Sequence, residues 1–238
     1  MKYSIVLPAY CEADNLKILI PAVCHTMSQY AYEIIVVDDN SPDNTAEVIH
    51  NLKTQHLPVN LIIRTKDRGF ANSIKTGIEA AKGEYVIIMD SDGNHNPNYL
   101  PFMCDNSVYY PCIVASRFQY GGGMSSRFRQ GCSWLFNIFV RITTGGYVTD
   151  SLYGFFLIRK EILLQLDFKK IFWGYGDYAI RLLYFIQKNH TPILQFPAQN
   201  GERLYGTENS RLLSTFIKYF RESILLVIRE RILGGQGY

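Results

Sequence analysis

The run Gly83-Glu84-Tyr85-Val86-Ile87-Ile88-Met89-Asp90-Ser91-Asp92-Gly93-Asn94-His95 decides how the rest of the chain is organised. Tyr85 to Met89 is an apolar, strand-type run too short for a helix, and it stops abruptly in Asp90-Ser91-Asp92-Gly93. Such a run predicts a strand buried on both faces. Two carboxylates one residue apart at its carboxyl end would face the crevice where open α/β sheets bind ligands. Neither has a basic neighbour in sequence, so the pair invites a hard divalent cation. Mg²⁺ or Mn²⁺ typically sits on one or two carboxylates and completes its shell with phosphate oxygens. The same residues also make an ordinary polar turn, and the run alone does not choose between the two.

Working outward, the flanking segments alternate strand and helix patterns. Tyr3 to Leu7 reads as a strand, Asn15 to Gln29 as a helix, and Glu33 to Val37 as a second buried strand ending in Asp38-Asp39. Ser41 reads as a helix N-cap with Pro42 in the first helical position, and that helix runs to about Thr54. Leu61 to Ile63 is a third strand and Phe70 to Lys82 a helix; beyond the central run come a short helix near Pro97 to Met103 and a strand Ile113 to Ala115. Strands separated by helices of this length predict an α/β fold with a doubly wound, mostly parallel sheet. In the second half, Ser151 to Ile158 and Ile193 to Phe196 read as strands. Phe172 to Asp177 is an aromatic, Gly-containing turn before a helix, and Leu212 to Leu233 is a final amphipathic helix. No repeat or low-complexity linker divides the chain, which predicts one domain over residues 1–238, with a first half 1–115 and a second half 116–238.

Composition narrows the class. The 238 residues are 47% hydrophobic, which fits a globular chain and not a disordered one. A formal net charge of +3 is too mild for a nucleic-acid binder. Cys11, Cys24, Cys104, Cys112 and Cys132 are odd in number and scattered, which predicts free thiols in a reducing compartment. The first residues enter a strand directly, and no apolar run approaches the roughly 20 residues of a membrane span. A cytoplasmic location is therefore expected.

One stretch changes character. From Asn106 to Thr149 there is no Asp or Glu, and the only charges are Arg117, Arg127, Arg129 and Arg141. It contains Gly121-Gly122-Gly123, expected to be a flexible loop, and the apolar Trp134 to Ile142. Arginines without counter-charge beside apolar residues suit a phosphate on a greasy tail, since the planar guanidinium grips phosphate oxygens in pairs. The alternative is a packing helix whose arginines snorkel.

Asp38-Asp39 followed by Asp90 also suits a receiver domain of bacterial signalling. However, a complete strand and helix precede the paired acids here, and no Lys stands between Lys82 and Lys160. A different resemblance fits better. Ile5-Val6-Leu7-Pro8-Ala9-Tyr10-Cys11-Glu12, Ile34 to Pro42, Arg68-Gly69-Phe70-Ala71 and Asp90-Ser91-Asp92 together resemble the family 2 glycosyltransferases of GT-A fold. Within them the chain is most similar to the dolichol-phosphate mannose synthase and polyprenyl-phosphate glycosyltransferase group, over about residues 1 to 212. The resemblance implies that Pro8, Tyr10, Glu12 and Asp39 border the donor's base and ribose, with Arg68, Ser91 and Arg203 toward its phosphates. It implies Mg²⁺ or Mn²⁺ on Asp90 and Asp92, with Asn94 in place of the group's Gln. Arg117, Arg129, Ser133 and Arg211 match residues that would grip an acceptor phosphate, and Asp150 with Gly154-Phe155 is similar to a turn of the group. Tyr153 stands where that turn has Ser, and Gly206 to Arg211 is longer than the usual loop.

The implied partners are a nucleotide-sugar donor, GDP-mannose or a UDP-hexose, and a polyprenyl or dolichyl phosphate. The enzyme would sit peripherally on a membrane's cytoplasmic face, alone, as a homodimer or with an anchoring partner. A lipid phosphate is already anionic and needs positioning rather than deprotonation. A sugar hydroxyl would need a base, for which Asp177 in Gly176-Asp177-Tyr178 is the candidate; the same Asp also suits a helix N-terminus. A third reading is a nucleotide-sugar-binding subunit without transfer activity.

Overall fold

The computed structural model describes residues 1–203, 205, 212–232 and 234. In chain order the first elements are β1 (Tyr3–Ala9), α1 (Ala13–Thr26), β2 (Tyr32–Asp38), α2 (Thr45–Thr54), β3 (Val59–Ile63), α3 (Phe70–Ala80) and β4 (Tyr85–Ile88). They are followed by α4 (Leu100–Asn106), β5 (Cys112–Ser116), α5 (Arg127–Thr144), β6 (Phe156–Arg159), α6 (Lys160–Leu164) and α7 (Phe168–Ile171). Last come α8 (Tyr178–Lys188), β7 (Ile193–Pro197) and α9 (Leu212–Val227), the last continuing into a π-helical segment Ile228–Ile232. The strands form one seven-stranded sheet in the order β3-β2-β1-β4-β6-β5-β7. Every strand is parallel to its neighbours except β6, which inserts antiparallel between β4 and β5.

The period-2 alternation of β1 splits the core into two. Tyr3, Ile5 and Leu7 pack with Leu16, Ile20 and Val23 of α1, and with Ile87 and Met89, on one face. Val6 joins Val86 and Ile88 against Ile74 and Ile78 of α3 and Leu182 and Leu183 of α8 on the other. Each such Ile, Val or Leu is fully enclosed, contributing roughly 1.5–3 kcal/mol by leaving water. Strand register sets which side chains share the rim of the sheet. Ala9 pairs with Asp38, Val6 pairs with Ile88, and the Met89 N–H donates to the Val6 carbonyl at 3.1 Å. The strand order reverses direction at β1/β4, so the residues just after β1, β2 and β4 emerge together at the carboxyl rim, where α/β sheets bind ligands.

Three local expectations differ from the structure. Ser41 does not start a helix, because its N–H (3.1 Å) and hydroxyl both donate to the Asp38 carboxylate. The helix begins instead at Thr45, whose N–H and hydroxyl donate to Asp43 at 3.1 and 2.6 Å. Residues 151–155 are loop and not strand: the Ser151 N–H donates to Asn137 Oδ1 at 2.7 Å, and Gly154 takes φ +84°. Gly121-Gly122-Gly123 is pinned. Gly123 bridges Gln199, the Gln199 amide donates to the Gly121 carbonyl at 2.8 Å, and a Cβ on Gly122 would lie 2.7 Å from the Ser116 carbonyl oxygen. Glycine there permits close backbone approach.

Candidate active site

Each residue of the Asp90-Ser91-Asp92 turn has its own tether. The Asp90 N–H donates to His95 Nδ1 at 2.9 Å. The Ser91 hydroxyl donates to the Pro8 carbonyl at 2.8 Å, stitching the turn to the end of β1. Asp92 accepts from the Asn94 N–H at 3.0 Å and from the Asn94 side-chain amide at 2.7 Å. Gly93 allows the chain to turn between them, at φ +90°. Ser91 and Asn94 thus hold the turn, and both line the cleft.

Glu12, after β1, faces this turn. Arg203 spans the two, with Nη2 2.6 Å from Glu12 Oε1 and Nη1 3.3 Å from Asp92 Oδ2. Asn15 of α1 donates to the other Glu12 oxygen. The Asn15 side chain also exchanges hydrogen bonds with the Tyr205 backbone, at 2.9 Å to its N–H and 3.3 Å to its carbonyl, fixing where Arg203 stands. Asp90 opens into the cleft with 28% of its side chain exposed. Its carboxyl is held well above the ordinary range by burial, then by the neighbouring charges of Asp92 and Glu12, against Arg117 and Arg203. Burial also raises Glu12, opposed by Asn15 and Arg203.

Crowded carboxylates of this kind are relieved by a cation, and hard oxygen donors suit Mg²⁺ or Mn²⁺. Among the described residues no three His, Cys, Asp or Glu side chains converge as a closed metal cage. A two-carboxylate set is what a divalent ion uses when substrate phosphates complete its shell. The residues therefore fit such an ion.

The carboxylates rim a cleft of about 1010 Å³ that also takes in Pro8, Tyr10, Asp39, Arg68 and Gly69. Asp39 is anchored from three sides, by Arg64 Nη1 (2.6 Å), the Ser73 hydroxyl (2.8 Å) and the Gly69 N–H (2.6 Å). Arg68 lies over the Tyr10 ring, 5.0 Å from its centroid, and both are exposed.

A second wall of the cleft is formed by Arg129, Ser133 and Phe136 from α5, Leu152, and Phe216 and Tyr219 from α9. The helix α5 starts where it does because the Ser126 hydroxyl caps it, accepting from the Arg129 N–H at 3.4 Å. Arg129 and Ser133 are one turn apart on the cleft face. Arg117 stands beside Arg129 and Ser133. It lines a smaller cavity of about 450 Å³ that adjoins the cleft at Asp90, Arg129 and Arg203. Its guanidinium is bound in bidentate fashion by fully buried Asp150, at 2.7 and 2.9 Å, and its own N–H donates to the same carboxylate at 3.0 Å. Its charge is matched within the fold, and Ser133 Oγ lies 3.5 Å from its Nη2.

Asp177 is also elsewhere. Its side chain is fully enclosed, receives Arg181 Nη1 at 2.5 Å and the Tyr175 N–H at 2.8 Å, and does not line the cleft. Arg181 in turn donates to the Ile171 and Trp173 carbonyls. This pair fixes the 171–177 loop, whose Tyr175 does face the cleft, and the geometry does not suit a general base. Arg211, with Gly206 to Ser210, lies outside the described residues.

Sequence reasoning missed His95, Arg64, Ser73 and Asn15. His95 is 1% exposed, accepts from Asp90, and donates through Nε2 to the Tyr153 carbonyl at 2.8 Å. Burial, aided by the charge of Arg117, pushes its pKa down to about 3, so the ring is neutral and its 3.6 Å approach to Asp90 Oδ2 is not an ion pair. Its position inside the Asp90–His95 run was the available signal. The other three carried none, since their partners are distant in sequence or lie in a loop.

Known proteins resemble the chain in both sequence and fold. A sequence profile described as Glycosyl transferase family 2 matches residues 4–166. The chain is 29% identical over 226 residues to a dolichol-phosphate mannosyltransferase of Pyrococcus furiosus, covering 93% of this chain and 62% of that protein. It is 31% identical over 169 residues to the enzyme of the same name from Saccharomyces cerevisiae, covering 68% of this chain and 62% of that one. The chain thus spans about three fifths of the length of these relatives. Among solved structures, glucosyl-3-phosphoglycerate synthase from Mycobacterium tuberculosis, in complex with Mn²⁺, UDP and phosphoglyceric acid, superposes with a TM-score of 0.69 at 17% identity. That match covers 95% of this chain and 77% of the other. Mannosyl-3-phosphoglycerate synthase from Rubrobacter xylanophilus gives 0.70 at 19% identity, covering 98% and 75%. At these identities the likeness concerns the fold, which is GT-A.

Proposed function

The chain belongs to glycosyl transferase family 2, and from that premise we propose that it moves a sugar, with inversion, from a nucleotide-sugar donor to a polyprenyl or dolichyl phosphate. The names of its relatives favour a mannosyl donor such as GDP-mannose. One observation carries the reading. A single cleft is lined both by Asp39, Asp90 and Asp92 and by Arg129, Ser133 and apolar side chains.

On the donor side Asp39, held rigid by Arg64, Ser73 and Gly69, presents a fixed acceptor to base or ribose N–H and O–H groups. Arg68 and Arg203 supply positive charge where a diphosphate would lie. A divalent ion held by Asp90 and Asp92, when bound, offsets the charge that builds on the departing nucleoside diphosphate. On the acceptor side Arg129 and Ser133 orient an anionic phosphate oxygen toward the anomeric carbon. That nucleophile needs alignment and no deprotonation, so the catalytic contribution of this wall is positional. Asp177's enclosure supports the same choice, since the hydroxyl-acceptor alternative lacks its base.

A lipid acceptor calls for a lipid surface. On α5, Phe128, Trp134, Leu135 and Ile142 are 80%, 50%, 61% and 76% exposed. On α9, Ile217, Phe220 and Ile224 are exposed too, and the two helices join through Phe139 stacked on Phe220 at 4.2 Å. No helix among the described residues is long and apolar enough to cross a membrane. An apolar face edged by Arg127, Arg141 and Arg221 suits a helix pair lying in a bilayer interface. Docking there would bring the lipid phosphate to the Arg129 wall.

The test is incubation with GDP-mannose, UDP-glucose or UDP-GlcNAc, Mn²⁺ and polyprenyl phosphate in liposomes, followed by mass analysis of the lipid. A glycosylated lipid phosphate, with co-sedimentation of protein and vesicles, is expected. Donor turnover onto sugar hydroxyls alone would overturn the acceptor assignment.

A further inference from the structure

His95 does not line the cleft, yet it bonds the Asp90 backbone on one side and, on the other, the carbonyl of Tyr153, which follows the cleft-lining Leu152. A backbone N–H can only donate, so the Asp90 N–H at 2.9 Å requires Nδ1 to be bare. A carbonyl can only accept, so the Tyr153 oxygen at 2.8 Å requires the proton on Nε2. The two bonds fix one tautomer. The ring cannot turn without losing both: it stacks on Phe155 at 4.8 Å and 6°, meets Tyr153 edge-on at 4.5 Å, and is 1% exposed. Its far anchors, Tyr153 and Phe155, follow closely on Asp150, the residue that clamps Arg117.

We propose that His95 is a positioning residue for the divalent-ion site, its bare Nδ1 setting the peptide from which Asp90 projects. This rests on the reading of Asp90 and Asp92 as the ion's ligands. The Ser91 and Asn94 tethers hold the other two residues of the turn, and His95 is the tether that reaches Asp90. Through it the loop 150–155 of the second half dictates the geometry of a turn in the first.

Two amides separate this role from simple core filling. In His95→Asn the side-chain oxygen falls near the place of Nδ1, keeping the acceptor and losing the bond to Tyr153. In His95→Gln the longer chain carries its NH₂ to the place of Nε2, keeping that bond and losing the acceptor. Each loses one hydrogen bond, so similar drops in melting temperature are expected. Calorimetric titration of the full chain with GDP and UDP, with and without Mn²⁺, gives the readout. The Mn²⁺-dependent gain in affinity should stay within about threefold of wild type in His95→Asn and fall by about tenfold or more in His95→Gln, as for other groups that orient a metal ligand. ¹⁵N NMR of the wild-type imidazole should report the Nε2–H tautomer.

Equal Mn²⁺ gains in wild type and His95→Gln, or losses that follow the melting temperature and not the atom retained, would overturn the proposal and leave the ion site standing. An Nδ1–H tautomer would overturn it even if neither variant folds. A wild-type chain whose nucleotide affinity ignores Mn²⁺ would overturn both this proposal and the functional reading beneath it.

Discussion

Arg203 Nη1 lies 3.3 Å from Asp92 Oδ2 while Nη2 of the same guanidinium lies 2.6 Å from Glu12 Oε1. One cation thus spans the carboxylates that would otherwise face each other across the mouth of the cleft. It stands against an oxygen that a divalent ion would use. Arg203→Ala should therefore remove a competing charge: Mn²⁺ should bind the nucleotide-free chain roughly 3- to 10-fold more tightly. Transfer should nonetheless slow, because on the proposed reading the same residue would face the diphosphate. Equilibrium Mn²⁺ titration beside a transfer assay checks both. Weaker Mn²⁺ binding in the variant would show that Arg203 supports the site.

Arg129 and Arg117 line one cavity but differ in what holds them. Arg129→Ala removes a charged donor from the cleft wall, where such bonds contribute about 1.5–3 kcal/mol. The acceptor KM should rise roughly 10- to 150-fold, with nucleotide affinity unchanged. Arg117→Ala instead strands the fully buried Asp150 carboxylate. Breaking one side of a buried pair costs about 3–5 kcal/mol, on the order of 10 °C in melting temperature for a chain this size. Steady-state kinetics with calorimetric melting distinguishes the two outcomes.

Asp177→Asn should behave as a stability variant. It leaves Arg181, 2% exposed, without its charged partner, and should cost several kcal/mol. The pH profile of transfer by the folded fraction should keep its shape. Loss of a basic limb from that profile would restore the general-base reading.

His95 makes stability depend on pH. Its folded pKa is depressed to about 3, against about 6.5 in an unfolded chain. Below pH 6.5 the unfolded state therefore binds a proton that the folded state refuses. The stabilisation is whole above pH 6.5 and drains as pH falls toward 3, at up to about 1.4 kcal/mol per pH unit. Between pH 6.5 and 5 the stability gap between wild type and His95→Asn should shrink by about 2 kcal/mol, as read by urea unfolding at each pH. A constant gap would mean that the imidazole charges within the fold.

Much of the fold was legible because β2 and β4, near its centre, are buried on both faces and stop at acidic turns. Ile34 to Val37 and Tyr85 to Met89 are continuous apolar runs, and the carboxylates after them land at the rim. What stayed illegible were choices between competing partners. Ser41 has the chemistry of a cap, but the Asp38 carboxylate three residues back takes its hydroxyl and N–H alike. Asp177 and Arg181 are visibly one helical turn apart, yet their spacing does not say that both are enclosed. The Arg117–Asp150 clamp joins residues 33 apart, and it turns an apparently uncompensated arginine into a paired one. The direction of β6 left no trace in its own composition, since Phe156 to Ile158 would suit either orientation.

On the proposed reading, sugar transfer to a lipid phosphate depends on a divalent ion held by Asp90 and Asp92. The direct measurement is mass-detected transfer from GDP-mannose to polyprenyl phosphate by wild type and Asp92→Ala, each with Mn²⁺ and with EDTA. Product is predicted only from wild type with Mn²⁺, with at least about a hundredfold loss in Asp92→Ala. Equal product with EDTA, or from the variant, would contradict it.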